Sequence, residues 1–490
     1  MQPRKPSIVV VGGGVTGAAI ARELTRYRVS VTVVEREDDL ARGASGACGG
    51  VIHSGFDPAP GTLKASLNVI GNSLYPKLAD ELGFAYRRTG TLILAFDPDG
   101  VTRLEEIRGR AARNGVELET WTRDRVIALE PNANPGVLQA VFAPSAGAVF
   151  PPEVVLALAR SAALNGARFE LETEVTGIAV NRGAVAGVET TRGFIPADIV
   201  VNAAGVDAAA VAAAAGDHTF SVRPRKGQQV ILDKRYGSIV ARHIMTLPTR
   251  MGKGIGVAPT VGGNIHLGST AEDGVEPHDV TTTSAGLDWI FENAKKLVPC
   301  IERDWMIASF AGVRAISDTD DFIVRESPAV ERLFNVAGIQ SPGLSAAPAI
   351  ASHLVGVMVK AGVPLEPEPG FRAFLDPPIV TSRMSTSEWA RLVAGDPSFG
   401  RIVCRCEGVT EGEIVRAIEG PLGARSIEGV KRRTRAGMGR CQGGFCGPRV
   451  AAILSRRLGV PLWKVRRRGA GSELGVGPAK CCLRGGVGAR

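Results

Sequence analysis

The first residues of the chain alternate between apolar runs and a glycine-rich turn. Ile8–Val11 and Val31–Glu35 are short β-branched runs, and the second of them ends in an acid. Between them, the turn Gly12–Gly17 leads into Ala18–Tyr27, which we predict to be a helix. A buried strand, a helix and a second buried strand in this order predict a βαβ unit with parallel strands.

The rest of the chain divides by pattern and composition. We predict a helix over Gly61–Leu82, a strand over Arg88–Phe96 and further α/β structure, with runs such as Ala197–Val201, to about Val363. Proline and glutamate become frequent between Pro364 and Pro378, as is typical of a linker. The predicted domains are an α/β domain over 1–365, a linker over 366–400, a compact domain over 401–460 and a disordered Gly- and Arg-rich tail over 461–490.

The turn has the G-x-G-x-x-G spacing of a dinucleotide site, formed by Gly12, Gly13, Gly14 and Gly17. In such a site the glycines permit a tight turn and a close approach to a pyrophosphate, and the helix N-terminus offers free N–H groups to the phosphates. Glu35 follows Gly17 by eighteen residues, where an acid can accept hydrogen bonds from ribose hydroxyls. The alternative, an ordinary glycine-rich turn, would leave Glu35 unexplained.

Charge is unevenly distributed along the chain. The net charge is +9, yet the residues from Arg401 onward contain 19 Lys and Arg against 6 Glu and no Asp. This excess indicates a surface for an acidic redox partner or an anionic membrane, or else a solvated basic tail. No nucleic-acid module accompanies the charge, so nucleic acid is not an expected partner. No apolar run of eighteen residues and no signal peptide are seen, which predicts a cytoplasmic location without a transmembrane helix.

Two later segments, Asp198–Gly205 and Asn335–Ser345, resemble the FAD-dependent oxidoreductase family that includes D-amino-acid oxidase, sarcosine oxidase and glycerol-3-phosphate dehydrogenase. The likeness covers most of Ile8–Ala361 and implies that the dinucleotide is FAD. In that family the second segment passes beneath the flavin before a closing helix, whose N-terminus stabilises the reduced ring. Beyond the turn and Glu35, the resemblance implies cofactor contacts at Ser45, Val175, Gly205, Gly338, Gly343 and Leu344.

The segment Ser45–Phe56 resembles the loop at the flavin edge of glycerol-3-phosphate and L-2-hydroxyglutarate dehydrogenases. Its His53 could act as general base for an alcohol, or it could only orient the flavin. Phe310–Ala315 resembles the Gly-x-Arg element of the family, in which Arg314 would bind a phosphate or a carboxylate. A surface ion pair is the alternative for Arg314, although its neighbours are apolar. Arg225–Gln228 is a second candidate cation cluster.

Four of the eight cysteines are grouped as Cys404, Cys406, Cys441 and Cys446. Four thiolates can bind a zinc ion or a [2Fe–2S] cluster, and a bare thiol cluster is the third alternative. The surrounding Cys404–Thr410 and Thr434–Gly443 resemble the bacterioferritin-associated-ferredoxin-like [2Fe–2S] domain, which implies an iron–sulfur cluster. Cys48 is expected to be a packing residue, and Cys481 and Cys482 have no partner pattern.

The expected fold class is α/β: a Rossmann-type FAD-binding domain with an interleaved α+β substrate domain, followed by a small helical [2Fe–2S] domain. The expected function is oxidation of sn-glycerol 3-phosphate, a small anionic substrate, to dihydroxyacetone phosphate. The alternatives are an L-2-hydroxyglutarate dehydrogenase, an amine or amino-acid dehydrogenase, and an electron-relay subunit. Electrons would pass to a redox partner protein or a quinone-linked subunit, and peripheral contact with the inner face of the membrane is compatible with this hypothesis.

Overall fold

A computed structural model describes residues 5–249 and 254–478. The chain divides into two compact units: unit 1 comprises 1–36 and 40–377, and unit 2 comprises 37–39 and 378–490. Cys481 and Cys482 lie outside the described residues.

The strands, in chain order, are β1 (Ser7–Val11), β2 (Ser30–Val34), β3 (Val51–Ile52), β4 (Tyr86–Arg88), β5 (Thr91–Ala95), β6 (Glu119–Thr122), β7 (Gln139–Ala143), β8 (Gly147–Val149), β9 (Arg168–Glu170), β10 (Val175–Asn181), β11 (Ala184–Thr190), β12 (Gly193–Pro196), β13 (Ile199–Asn202), β14 (Val222–Leu232), β15 (His243–Met245), β16 (Gly256–Pro259), β17 (Ile265–Gly268), β18 (Met306–Ser317), β19 (Ile323–Glu326), β20 (Leu333–Ala337), β21 (Ile402–Cys404) and β22 (Val409–Thr410).

The α-helices are α1 (Val15–Leu24), α2 (Leu63–Leu82), α3 (Pro98–Arg113), α4 (Arg123–Leu129), α5 (Pro151–Leu164), α6 (Ala208–Ala213), α7 (Ser284–Leu297), α8 (Gly343–Lys360), α9 (Thr386–Gly395), α10 (Glu411–Glu419), α11 (Ile427–Thr434) and α12 (Gly447–Leu458).

Unit 1 contains a six-stranded sheet in the order β19-β20-β13-β1-β2-β9. Pairing is parallel from β20 to β9, and only β19 runs antiparallel to its neighbour. The buried β-branched residues of β1 and β2 form its centre, and α1 connects these two strands as the predicted βαβ unit. Helix α1 packs against α5 and α8, so one side of the sheet is covered by helices.

A second, eight-stranded sheet has the order β18-β14-β17-β16-β15-β5-β7-β6. Its strands come from two stretches of the chain that interrupt the six-stranded sheet, which confirms the predicted interleaving of two subdomains. The long strands β14 and β18 pair antiparallel over most of their length. Side chains of this sheet and of α7 share one apolar core that includes Leu92, Trp121, Val230, Ile265 and Ile290.

Unit 2 contains the hairpin of β21 and β22 and the helices α10, α11 and α12. The helices pack on one another around Ile414, Val430, Val450 and Leu454. Thr410 begins α10 with a capping box, in which its backbone N–H donates to Glu413 at 2.8 Å. The expected small helical domain is therefore present.

Two predicted segments differ from the structure. The predicted linker 366–400 contains α9, because Ser385 and Glu388 form a capping box that starts a helix. Of the tail predicted to be disordered, the described part is ordered: Leu474 N–H donates to Val465 O at 2.9 Å, and Arg467 N–H to Ser472 O at 2.8 Å. These local hydrogen bonds could not be predicted from amino-acid composition alone.

One helix of the described residues, α8, has the length and hydropathy needed to cross a membrane. More than half of it is buried, and it packs against α1 and α2. These contacts are those of a core helix of unit 1.

Candidate active site

The glycine turn after β1 is so tight that side chains are excluded at two positions. Gly12 has φ +107°, and a Cβ there would lie 2.6 Å from the carbonyl oxygen of Ala203. A Cβ on Gly17 would lie 1.9 Å from the oxygen of Gly12. Only glycine therefore lets α1 start directly against the strand ends.

Two side chains complete this turn. The carboxylate of Glu35, directly after β2, accepts a hydrogen bond from Gly13 N–H at 2.7 Å. The hydroxyl of Ser45 accepts one from Val15 N–H, at the start of α1, at 2.9 Å, and a Cβ on Gly14 would lie 3.3 Å from this hydroxyl. Ser45 can still donate its own hydrogen to a phosphate oxygen.

Further predicted cofactor residues surround the same edge of the six-stranded sheet. Ala203, just after β13, donates its N–H to Val11 O at 3.0 Å, and Gly205 follows it at the start of a short 3₁₀-helix. Gly338 comes directly after β20. The carboxyl ends of β1, β13 and β20 thus converge, as in nucleotide-binding α/β sheets.

Val175, the predicted adenine contact, lies close to Glu35. It begins β10, two residues after Thr173, whose N–H donates to Glu35 O at 2.9 Å. The structure therefore brings the predicted ribose and adenine positions next to each other.

His53 follows β3 and is held by its backbone. Its N–H donates to Ser345 Oγ at 2.7 Å, and its carbonyl oxygen accepts from Asn72 Nδ2 at 3.1 Å. Ser345 belongs to the first turn of α8, which begins at Gly343, and Leu344 O accepts from Tyr75 Oη at 2.6 Å. The loop that carries His53 and the predicted flavin-contacting helix start are therefore linked directly.

Arg314 lies on β18, half-buried. Its Nη2 contacts Ser269 Oγ and donates to Thr270 O at 3.0 Å. Burial lowers the pKa of this guanidinium, and Cys48 opposes the shift. Arginine nevertheless stays protonated in proteins, so a cation is held here by neutral acceptors.

The loop Ser45–Phe56 also reaches β18. A Cβ on Gly312 would lie 2.6 Å from Ala47 Cβ, so the strand and the loop are in direct contact. Burial raises the pKa of Cys48, and Arg314 is among the groups that oppose this shift. One loop therefore contacts both the helix start at Ser345 and the strand of Arg314.

The second cation cluster is neutralised by acids. Arg225 binds Asp273 through two nitrogens at 2.6 and 2.7 Å, and Lys226 binds Asp279 at 2.7 Å. The hydrogen bond that Arg225 donates to Asp273 raises the pKa of Arg225. Arg225 is the cross-strand neighbour of Arg314, but Arg314 makes no ion pair with the described residues.

Two further residues near this loop, His266 and Gln229, were not predicted from the sequence. His266, on β17, bonds through Nε2 to Gln229 Oε1 at 2.6 Å, and Gln229 Nε2 contacts Ala47 O. The ring lies over Gly49, where a Cβ would be 2.5 Å from Cε1. Burial lowers the pKa of His266 to about 4, so the ring is neutral near pH 7. A histidine between Ile265 and Leu267 resembles any strand residue until the paired strand is known.

The four cysteines of unit 2 are arranged as two pairs. Cys404 and Cys446 are buried, whereas Cys406 and Cys441 are exposed, so the thiols form one buried and one exposed pair. Within residues 5–249 and 254–478, no three His, Cys, Asp or Glu side chains could hold a single metal ion. Two pairs of thiols suit a [2Fe–2S] cluster, whose irons are each bound by two cysteines, better than one tetrahedral zinc.

The turn, the convergent strand ends and Glu35 fit a dinucleotide bound through its phosphates and ribose. Together with the cysteine pairs, they define an oxidoreductase with a flavin and a second redox centre. Residues 7–356 match the FAD dependent oxidoreductase family, and the chain belongs to it. Residues 402–456 match the BFD-like [2Fe-2S] binding domain. FAD and a [2Fe–2S] cluster are therefore its cofactors.

Relatives are similar over nearly the whole chain. A glycerol 3-phosphate dehydrogenase of Caloramator mitchellensis is 39% identical over 96% of this chain and 98% of its own length. One subunit of the anaerobic glycerol-3-phosphate dehydrogenase of Escherichia coli K12 is 27% identical over 92% of this chain and 88% of its own length. The structure of dithionite-reduced L-alpha-glycerophosphate oxidase from Mycoplasma pneumoniae, with FAD bound, has a TM-score of 0.73 at 31% identity and covers 77% of this chain and 100% of its own.

Proposed function

We propose that this protein is a glycerol-3-phosphate dehydrogenase that oxidises sn-glycerol 3-phosphate to dihydroxyacetone phosphate. Support comes from the relatives of that name, one of which is similar over almost the entire chain. The observation that carries the proposal is the loop Ser45–Phe56. This loop carries His53, whose backbone N–H donates to Ser345 at the start of α8, and it contacts β18, the strand of Arg314.

His53 is proposed as the general base. A neutral imidazole accepts the proton of the substrate's secondary hydroxyl while the hydride leaves the same carbon. The hydrogen bonds of its backbone to Ser345 and Asn72 fix the position from which the ring acts. FAD, when bound, supplies the hydride acceptor, and the [2Fe–2S] cluster supplies one-electron chemistry towards an external acceptor.

Arg314 is proposed as the phosphate anchor. Its Nη2 is engaged by Ser269 and Thr270, whereas Nε and Nη1 have no hydrogen-bond partner among the residues that the structure describes. A planar, half-buried guanidinium with free donors is suited to bind a phosphate through two hydrogen bonds.

The proposed partners and location follow from the second redox centre. Some relatives are named as one subunit of an anaerobic glycerol-3-phosphate dehydrogenase, which supports an assembly with redox partners. The proposed acceptor is a redox protein or a quinone-linked subunit. The proposed location is the cytoplasm, in peripheral contact with the membrane.

Anaerobic stopped-flow reduction of the flavin tests the reaction. We expect sn-glycerol 3-phosphate to bleach the flavin absorbance, and L-2-hydroxyglutarate, sarcosine and proline to leave it unchanged. The variant His53→Asn should keep FAD, but its flavin should be reduced about 10²–10⁴-fold more slowly because the base is lost. Bleaching by 2-hydroxyglutarate alone, or only by a reduced partner protein, would contradict the proposal.

A further inference from the structure

We infer that the exposed side of the cysteine module, around Cys406, Cys441 and Phe445, is the docking surface for an acidic electron-acceptor protein. This surface comprises these three residues together with Arg405 and Arg449. The inference rests on the proposed function in one respect, namely that electrons leave the protein through the [2Fe–2S] cluster.

The cysteines differ in their access to solvent. Cys404 and Cys446 are only 1% and 2% exposed, whereas Cys406 and Cys441 are exposed. Gly439 lies against Cys406, where a Cβ would be 2.1 Å from Cys406 Cβ, so no side chain at this position screens the thiol. A cluster held by these four thiols is therefore approached from the side of Cys406 and Cys441.

A large aromatic side chain lies at the same side. Phe445, next to Cys446, is 48% exposed, and its ring is flanked by the guanidinium groups of Arg405 at 5.0 Å and Arg449 at 4.9 Å. An exposed aromatic ring between two arginines is a combination enriched at the centres of protein interfaces.

The two arginines beside Phe445 carry positive charge that is not paired with a described carboxylate. Neither Arg405 nor Arg449 has a carboxylate partner among the residues that the structure describes. Other arginines of the module pair with glutamates; these are Arg401, Arg435, Arg456, Arg457 and Arg466. Positive charge left unpaired beside an exposed cluster attracts a negatively charged surface and increases the rate of encounter.

The test uses the full-length holoenzyme reduced chemically, so that it does not depend on glycerol 3-phosphate turnover. Cytochrome b5, a haem protein with an acidic surface, is the probe, and basic cytochrome c is its counterpart. In each reaction one electron leaves the reduced cluster and converts ferric to ferrous haem, which the haem absorbance reports. The variant is Arg405→Glu/Arg449→Glu. The matched control is Arg425→Glu/Arg468→Glu, which makes the same charge change at two other exposed arginines of unit 2.

At low ionic strength we expect the first variant to reduce cytochrome b5 at least about tenfold more slowly than the wild type, with a weaker salt dependence, and to reduce cytochrome c faster. The control should change both rates less than about twofold by the same reasoning. An unchanged visible iron absorbance shows that the cluster is retained, and Arg405→Gln/Arg449→Gln should give a smaller effect of the same sign.

Equal effects of the variant and the control would overturn the inference, since net charge would then be sufficient. It would also be overturned if the variant lost binding to phosphatidylglycerol vesicles while its cytochrome b5 rate stayed unchanged, because the surface would then serve a membrane. Failure of glycerol 3-phosphate to reduce the flavin, with the cytochrome results as expected, would reject the proposed function alone.

Discussion

Arg314 is a half-buried cation that has no carboxylate partner among the residues that the structure describes. Its neighbour across the strand pair, Arg225, is bound to Asp273, so the charge of Arg225 is already satisfied. Among the described residues, the hydrogen-bond acceptors of Arg314 are a hydroxyl and a carbonyl, which orient the guanidinium without cancelling its charge. We therefore expect these two arginines on adjacent strands to have different roles.

Replacing Arg314 with alanine tests this difference. We expect Arg314→Ala to raise KM for glycerol 3-phosphate about 10–100-fold, since a charge-assisted contact contributes about 1.5–3 kcal/mol. Steady-state dye reduction measures KM and kcat separately. Arg225→Ala is the matched control and should change KM much less, because its partner is Asp273. An unchanged KM in Arg314→Ala would remove its anchoring role.

At the level of elements, strand β17 supports the loop that carries His53. His266 bonds to Gln229 on β14, and Gln229 contacts Ala47 in the loop, so two strands and the loop are joined through one neutral imidazole. Gly49 lets the ring lie directly on the loop backbone. Protonation of His266 would place an uncompensated charge in this buried position.

This arrangement predicts a pH dependence of stability. The folded-state pKa of His266 is about 4 against an ordinary value of 6.5, so the unfolded chain binds the proton first as the pH falls. Stability is present above the ordinary value and is lost as the pH falls towards 4. Between pH 7 and pH 5 the loss from this group is about 2 kcal/mol.

The variant His266→Asn removes the titrating group and should show a smaller fall in Tm between these two pH values than the wild type. Thermal unfolding of unit 1 is monitored by the fluorescence of the flavin that it releases. His278→Asn, at a half-exposed position, is the control and should behave like the wild type. Identical pH dependence in His266→Asn and the wild type would show that this histidine does not determine acid stability.

The elements that could be predicted from the sequence are those with local signals. The βαβ unit was predictable because its glycine spacing, its strands and Glu35 all lie within one short stretch of sequence, Ile8–Glu35. The family resemblance indicated the loop of His53 and the strand of Arg314. The support by His266 and Gln229 was not predictable, since it depends on the antiparallel register of β14 and β17, in which Ile231 pairs with His266. Helix α9 was missed because proline-rich flanks masked its capping box.

At the scale of the whole molecule, the two redox centres belong to different units. The predicted FAD contacts lie in unit 1, and the four cysteines lie in unit 2. The division at about residue 377 is later than the predicted end of the first domain at 365, because the stretch after α8 still bonds to unit 1: Glu368 N–H donates to Arg26 O at 2.7 Å. Sequence composition marked the change of domain but not these contacts.

The division into units predicts that one cofactor can be lost without the other. We expect Cys441→Ser to abolish the visible absorbance of the iron–sulfur cluster, because one of four ligands is removed, while FAD remains bound in unit 1. Iron, sulfide and flavin analysis of anaerobically purified protein measures both. Cys300→Ser, at an exposed cysteine of unit 1, is the control and should keep iron and flavin. Iron retained in Cys441→Ser would refute the ligand assignment. Loss of FAD together with iron would instead mean that flavin binding in unit 1 depends on the cluster in unit 2.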